Sequence, residues 1–133
     1  MAILERLLYT SHETDPMGTL SLFNLLNEAR RKNAERGITG HLVYLDGEFM
    51  QCIEGPPEAI EHLWQSLQKD PRHRDVQIIH RGPIEARRFA DWSMAFSSYR
   101  YLNSFNMPGF FPLDEANSND QVQACQLSWQ SHL

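Results

Sequence analysis

The segment at residues 38–55, ITGHLVYLDGEFMQCIEG, is the feature that most restricts the fold. Two runs rich in β-branched and aromatic residues flank Asp46-Gly47, a dipeptide that accepts the positive φ angles of a two-residue hairpin turn. Because side chains alternate along a strand, each run presents one face to a core. The segment therefore predicts two adjacent antiparallel strands, to which the rest of the chain must attach.

Two segments on either side of this hairpin have the periodicity of amphipathic helices. In residues 19–36 the apolar positions fall at i, i+3, i+4 and i+7, and Gly37 supplies a helix stop. The second segment begins with proline, carries a similar stripe and ends before Pro71. The stripes consist of Leu22, Leu25, Leu26 and Ala29 in the first helix, and of Ile60, Leu63, Trp64 and Leu67 in the second.

Three further apolar runs, at residues 3–10, 76–82 and 89–99, predict strands. The element order is then β-α-β-β-α-β-β, an α+β fold similar to the ferredoxin-like arrangement, with two helices on one face of a mixed sheet. Residues 1–98 are predicted to form this domain and residues 99–133 a C-terminal helical extension. Val122, Cys125 and Trp129 have helical spacing there, and so short a helix needs to dock on the sheet or on a partner chain.

Charge and composition exclude several classes of function. The net charge is −5, from 17 acidic and 12 basic residues, so we expect no nucleic-acid partner, because phosphate backbones bind an excess of Lys and Arg. No apolar run approaches the ~20 residues of a membrane span, and the first residues lack a signal-peptide pattern. We therefore expect a cytoplasmic protein without a membrane partner. The histidines and cysteines show no metal-ligand spacing, and we expect no metal site.

Three polar side chains are predicted to lie on core-facing surfaces. Asn33 continues the apolar stripe of the first helix, Gln51 shares a strand face with Phe49 and Ile53, and Tyr9 lies near the end of the first strand. A buried amide needs hydrogen-bond partners, and a flat heteroaromatic ligand would supply several of them. The alternatives are a glutamine at a solvated strand edge and a core tyrosine with its hydroxyl at the rim.

Three sequence strings carry a resemblance to a known family. RLLYTS, RRKNAERGITGHLVYLDGEFMQCIEG and DPRHRDVQIIHRGPIEARRFADWSMAF together resemble the BLUF family of blue-light sensors that use FAD, over about residues 4–97 and without gaps. The resemblance implies a non-covalently bound flavin, namely FAD, with FMN or riboflavin as alternatives in the same site. It also implies a photoreceptor rather than an enzyme.

The resemblance assigns roles to individual residues. Tyr9 would donate an electron and then a proton to the excited flavin, and Gln51 would rearrange between Tyr9 and the flavin. Asn33 would hydrogen-bond the pyrimidine edge, and Trp92 and Met94 would be the switch residues of the last strand. Lys32, Asp70 and His73 would lie at the ribityl-phosphate end, and Leu25, Ile38, Phe49 and Leu67 would form the apolar walls.

Departures from the family pattern concern the phosphate end more than the photochemistry. Ser66 stands where some relatives carry arginine, Lys32 replaces a common asparagine, and Ala95 follows Met94 where glycine is frequent. We expect a short photoreceptor that signals through its last strand and C-terminal extension, to a second copy of itself in a homo-oligomer or to a downstream protein. The alternatives are a light-insensitive α+β module for ligand binding or protein interaction and, with weaker support, a small hydrolase.

Overall fold

The structure, a computed structural model, describes residues 3–98 and 108–111. The predicted C-terminal helix around residues 122–129 lies outside these residues, so the division at residue 98 stays a prediction. The elements, in chain order, are β1 (Leu4–Glu13), α1 (Thr19–Arg36), β2 (Thr39–Leu45), β3 (Glu48–Gly55), α2 (Pro57–Lys69), β4 (His73–Ile84) and β5 (Ala95–Ser97).

The strands form one mixed sheet in the order β4-β1-β3-β2-β5. The pairings β1–β3, β1–β4 and β2–β3 are antiparallel, whereas β2 and β5 run parallel. Both helices pack on the same side of the sheet. The predicted α+β ferredoxin-like architecture is therefore confirmed.

Local sequence signals explain where the elements begin and end. Gly37 adopts a left-handed conformation with φ of 69° directly after α1, as a glycine helix stop requires. Asp46 and Gly47 both have positive φ, 50° and 82°, which fits a two-residue turn between β2 and β3. The hairpin and both helices thus form where the sequence predicts them.

The sheet separates two apolar clusters. The helix-side cluster lies between the sheet and the helices and contains Leu7, Tyr9, Leu22, Leu26, Ile38, Leu42, Tyr44, Phe49, Ile53, Ile60, Trp64, Met94 and Phe96. The opposite cluster contains Val43, Met50, Cys52, Phe89 and Ala95, with Leu8, Leu45, Trp92 and Phe111 packed against it. Alternation along β3 separates the side chains, so Gln51 faces the helices and Cys52 faces away from them.

The prediction of a strand over residues 89–99 is wrong in its extent, since β5 comprises only Ala95–Ser97. The reason lies in the preceding loop, which the buried carboxylate of Glu54 holds in a turn. This carboxylate accepts hydrogen bonds from the backbone N–H groups of Arg88 at 2.6 Å and Phe89 at 2.8 Å. The chain consequently reaches the edge of β2 only at Ala95.

Side-chain alternation in a strand over residues 89–99 would place Trp92, Met94 and Phe96 on one face; this holds for Met94 and Phe96, which both lie in the helix-side cluster, and is wrong for Trp92. Met94 is fully buried in the helix-side cluster, whereas Trp92 packs against the opposite cluster. Both residues precede β5, so the two-residue alternation of a pleated strand does not apply to them. Their side chains are directed to opposite sides of the sheet.

Candidate functional site

A pocket opens between α1, α2 and the helix-facing surface of the sheet. It encloses about 630 Å³ of empty space, including its open mouth. The residues that line it are Tyr9, Met17, Leu25, Glu28, Ala29, Lys32, Leu42, Phe49, Gln51, Leu67, Asp70, Arg72 and His73.

Tyr9 and Gln51 meet at the inner wall because the strand register places them directly opposite each other on β1 and β3. The phenolic hydroxyl of Tyr9 donates a hydrogen bond to Oε1 of Gln51. Both residues are buried, with relative exposures of 3% and 7%. Burial, and secondarily the negative charge of Asp70, raise the pKa of Tyr9 well above its ordinary value, so the phenol is neutral in the resting protein.

The other end of the Gln51 amide has a weaker partner. Its Nε2 donates to Sδ of Met94 at 3.6 Å, and a thioether sulfur is a weak acceptor. An NH₂ group carries two hydrogens, so this contact leaves donor capacity at the pocket surface. The amide therefore holds a phenol with one end and can bind a ligand with the other.

His73 fixes the wall next to this pair. Its Nε2 lies 2.5 Å from the carbonyl oxygen of Leu67, and its Nδ1 lies 2.8 Å from Oγ of Ser11. A carbonyl oxygen only accepts, so Nε2 carries a hydrogen and donates it, and in the neutral ring Nδ1 accepts from the hydroxyl of Ser11. The ring thus joins the end of α2 to β1.

Four charged side chains surround the mouth of the pocket. Glu28 and Lys32 form an i,i+4 ion pair on α1 at 2.9 Å, and Asp70 binds Arg72 at 2.6 Å. Arg72 also approaches Glu28, at 3.7 Å. A hydrogen bond from Arg72 lowers the pKa of Asp70, and one from Lys32 lowers the pKa of Glu28, so both acids are ionised at neutral pH.

Residues 92–94 join the loop bound by Glu54 to β5. They are held in place by hydrogen bonds to their three backbone carbonyl groups. The carbonyl of Trp92 accepts from the backbone N–H of Gly40 at 3.1 Å, and that of Ser93 accepts from Nδ2 of Asn33 at 2.8 Å. The carbonyl of Met94 accepts from Nε of Arg30 at 2.8 Å. Two of the three donors are side chains of α1, so this helix connects the pocket to the segment.

Arg30 extends this connection beyond β5. Its Nη2 donates to the carbonyl of Pro108 at 2.8 Å. Phe110 pairs with Phe96 in a parallel bridge, and Phe111 packs edge-on against Trp92 with ring centroids 5.7 Å apart. A single guanidinium group therefore contacts both the Met94 backbone and residues 108–111.

Most of the chain also matches the sequence profile of a known family. The sequence profile described as "BLUF: Sensors of blue-light using FAD" matches residues 4–95. The chain belongs to the BLUF family. Members of this family are blue-light sensors that bind a flavin.

Curated relatives contain the BLUF domain within much longer chains. The beta subunit of photoactivated adenylate cyclase from Euglena longa is 39% identical over 103 residues, and the corresponding subunit from Euglena gracilis is 36% identical over 103 residues. Each alignment covers 77% of this chain but 12% of the relative. The chain therefore spans about an eighth of the length of these relatives.

Solved BLUF structures have the same fold. The dark state of the BLUF protein BlrB is 29% identical, with a TM-score of 0.73, and the match covers 100% of this chain and 99% of that one. The ground state of BlsA is 34% identical, with a TM-score of 0.69 and coverages of 74% and 66%. A bacterial light-regulated adenylyl cyclase is 25% identical, with a TM-score of 0.71 and coverages of 96% and 33%.

Most of the residues assigned by the family resemblance line the BLUF pocket. These are Tyr9, Leu25, Lys32, Phe49, Gln51, Leu67, Asp70 and His73. Four assigned residues lie elsewhere in the described part of the chain. Asn33 donates a hydrogen bond to the Ser93 carbonyl, and Ile38 is buried in the helix-side cluster. Met94 contacts Nε2 of Gln51 through its sulfur, and Trp92 packs against the opposite cluster.

Five lining residues were not predicted as site residues: Met17, Glu28, Ala29, Leu42 and Arg72. Two of them carried a usable signal. Glu28 stands one helical turn before Lys32, and Leu42 lies opposite Gln51 once the hairpin register is known. Arg72 binds Asp70 in the turn that follows α2.

Two further findings concern metal sites and membrane-spanning helices. Within residues 3–98 and 108–111, no group of three or more His, Cys, Asp or Glu side chains is placed to hold a metal ion. In the same part of the chain, neither helix has the length and apolar character needed to cross a membrane.

Proposed function

We propose that this chain is a blue-light photoreceptor that binds a flavin non-covalently between its two helices and switches through Tyr9 and Gln51. The observation that carries the proposal is the hydrogen-bonded Tyr9–Gln51 pair at the inner wall of an open pocket. A phenol joined to an amide that retains donor capacity is suited to change its hydrogen bonding when a neighbouring group is excited.

The residues present fit a flavin. Leu25, Phe49 and Leu67 supply apolar walls for a flat ring system, and Gln51 offers a polar group at the pocket's inner end. Asn33 is not among the lining residues, but its bond to Ser93 uses Nδ2 and leaves the amide oxygen, with which Asn33 would hold the pyrimidine edge. Lys32, Asp70 and His73 lie in the pocket wall and, by the family resemblance, would lie at the ribityl-phosphate end. The proposed cofactor is FAD, with FMN or riboflavin as alternatives in the same site.

The proposed switch depends on a proton held between two atoms of the chain. A bound flavin supplies blue-light absorption and an excited state that is a strong oxidant. A phenol that loses an electron becomes strongly acidic, and Oε1 of Gln51 is the acceptor already bonded to the Tyr9 hydroxyl. The proton therefore moves toward Gln51. Rotation or tautomerisation of the amide then exchanges the donor and acceptor ends that it presents to the pocket.

We infer that the signal leaves the pocket through Met94. Gln51 contacts the sulfur of Met94, so a rotated amide changes what this side chain packs against. Methionine is flexible and accepts two packings at low cost. The Met94 carbonyl is bonded to Arg30, which is bonded in turn to Pro108. A shift of Met94 would thus reach residues 108–111 and the C-terminal extension.

The experiment that tests the function is an absorption spectrum taken before and after blue light. We expect the purified protein to be yellow and to show a red-shifted flavin spectrum when illuminated, which reverts in the dark.

Gln51→Leu should bind flavin without the shift, because leucine approximates the volume of glutamine but cannot bond both Tyr9 and a ligand. A colourless protein would instead indicate a light-insensitive α+β module, and an intact shift in Gln51→Leu would exclude the proposed relay.

Met94→Ala should separate the signal from the photochemistry. We expect the variant to retain the red shift, which depends on Tyr9 and Gln51, and to show a smaller light-induced change in hydrogen exchange over residues 98–133. Met50→Ala is the matched control, since Met50 is equally buried but lies in the opposite cluster. The Met94 route is disproved if Met94→Ala and the parent protein show the same light-induced exchange.

We propose a sensor role rather than an enzymatic one. The relatives named as adenylate cyclase subunits are about eight times longer than the matched region, so cyclase activity is not carried over to this chain. The proposed output is a contact with a second copy of the chain or with a separate effector protein, made by β5 and the C-terminal extension. Size-exclusion chromatography in darkness and under blue light would distinguish these two partners.

A further inference from the structure

The charged residues at the pocket mouth form a neutral group of two acids and two bases. Glu28 accepts a hydrogen bond from Lys32 at 2.9 Å and lies 3.7 Å from the Nη1 of Arg72. Asp70 holds the rest of the Arg72 guanidinium with contacts of 2.6–3.1 Å. All four side chains line the pocket. Glu28 is the member that contacts both bases.

This arrangement determines how the mouth responds to a phosphate group. Phosphate is bound by cations with free donors, such as a lysine ammonium or an arginine guanidinium. Here Lys32 and Arg72 already have carboxylate partners, and a phosphate that approaches either of them also meets the negative charge of Glu28. The attraction and the repulsion act over similar distances and offset one another.

We propose that Glu28 is a specificity-determining residue that removes the preference of this pocket for phosphorylated flavins. By engaging both cations, it leaves riboflavin, FMN and FAD with similar affinities, so the ring system rather than the phosphate determines binding. The inference rests on the proposed flavin-binding function and concerns only which flavins the same pocket accepts.

Titration of the flavin-free protein with riboflavin, FMN and FAD, followed by quenching of flavin fluorescence, tests this inference. In the unmodified chain the three dissociation constants should be similar. Glu28→Gln frees Lys32 and one side of Arg72 from their carboxylate partner. The substitution should strengthen the binding of FMN relative to that of riboflavin by about fivefold, the scale of one partly exposed ion pair. The FMN preference should weaken with added salt, whereas riboflavin affinity should not.

Glu35→Gln is the matched control, because Glu35 lies on the same helix and pairs with Arg31 in the solvent at 3.8 Å, outside the pocket. It should leave the ratio of FMN to riboflavin affinity unchanged. An unchanged ratio in Glu28→Gln, an equal gain for FMN and riboflavin, or a selective loss of FMN would each overturn the inference while leaving the proposed function intact. Absence of binding by all three flavins to the unmodified chain would overturn the proposed function and the inference with it.

Discussion

Tyr9→Phe is expected to bind flavin normally and to lose the light-induced red shift completely. The substitution removes one oxygen atom from a ring that stays buried, so the pocket keeps its shape. It also removes the only hydroxyl through which residue 9 can donate to Oε1 of Gln51. Without that donor there is no proton to transfer and no reason for the amide to reorient. Difference spectra of the dark and illuminated variant provide the measurement.

Tyr44→Phe is the control for this experiment. Tyr44 belongs to the same helix-side cluster and is similarly buried, at 7% relative exposure, but its hydroxyl donates to Glu13 at 2.7 Å. The loss of one phenolic hydrogen bond is therefore reproduced away from Gln51. We expect a normal red shift in Tyr44→Phe. If Tyr9→Phe retained the shift as well, Tyr9 would have no part in the switch.

Glu54→Ala is expected to destabilise the fold strongly. The Glu54 side chain is fully buried, forms a 3.1 Å ion pair with Arg6 and accepts the backbone N–H groups of Arg88 and Phe89. Its removal leaves Arg6 without its partner and two backbone donors without acceptors. The cost of breaking such a buried pair is about 3–5 kcal/mol of unfolding free energy. Urea denaturation followed by circular dichroism measures this difference.

Glu61→Ala supplies the comparison for this prediction. Glu61 also binds an arginine, Arg81, at 2.9 Å, but its side chain is 49% exposed. Water therefore replaces the lost partner, and the expected loss of unfolding free energy is much smaller than that of Glu54→Ala. Equal losses of stability in the two variants would show that Glu54 does not anchor the loop before β5.

Much of the fold follows from periodic signals in the sequence. The stripe through Leu22 and Leu26 predicts α1, and these residues are buried against the sheet. Asp46-Gly47 predicts the turn that aligns β2 with β3. The convergence of Tyr9 and Gln51 also follows, since each faces the helices by alternation. Their direct opposition depends on the β1–β3 register, which no local signal specifies.

Side-chain alternation does not predict the structure of residues 92–94, which precede β5. Alternation predicts one common face for Trp92 and Met94, but it holds only for a chain that is paired in a sheet. Here the carbonyls of residues 92–94 bond to Gly40, Asn33 and Arg30. The contact between Arg30 and Met94 joins residues 64 positions apart. Sequence periodicity reports neighbours within one element, so it carries no information on such a contact.

The strand order has a consequence for the way the protein acquires its cofactor. β2 and β3 are joined by a two-residue turn and can pair locally, whereas Tyr9 and Gln51 are 42 positions apart and meet only after a long loop has closed. Loop closure costs entropy, so we expect β1 to join the hairpin after the hairpin itself has formed. The pocket exists only once both steps are complete. A flavin that binds this pocket would therefore bind an almost native chain and stabilise it by mass action, rather than guide the strands into place.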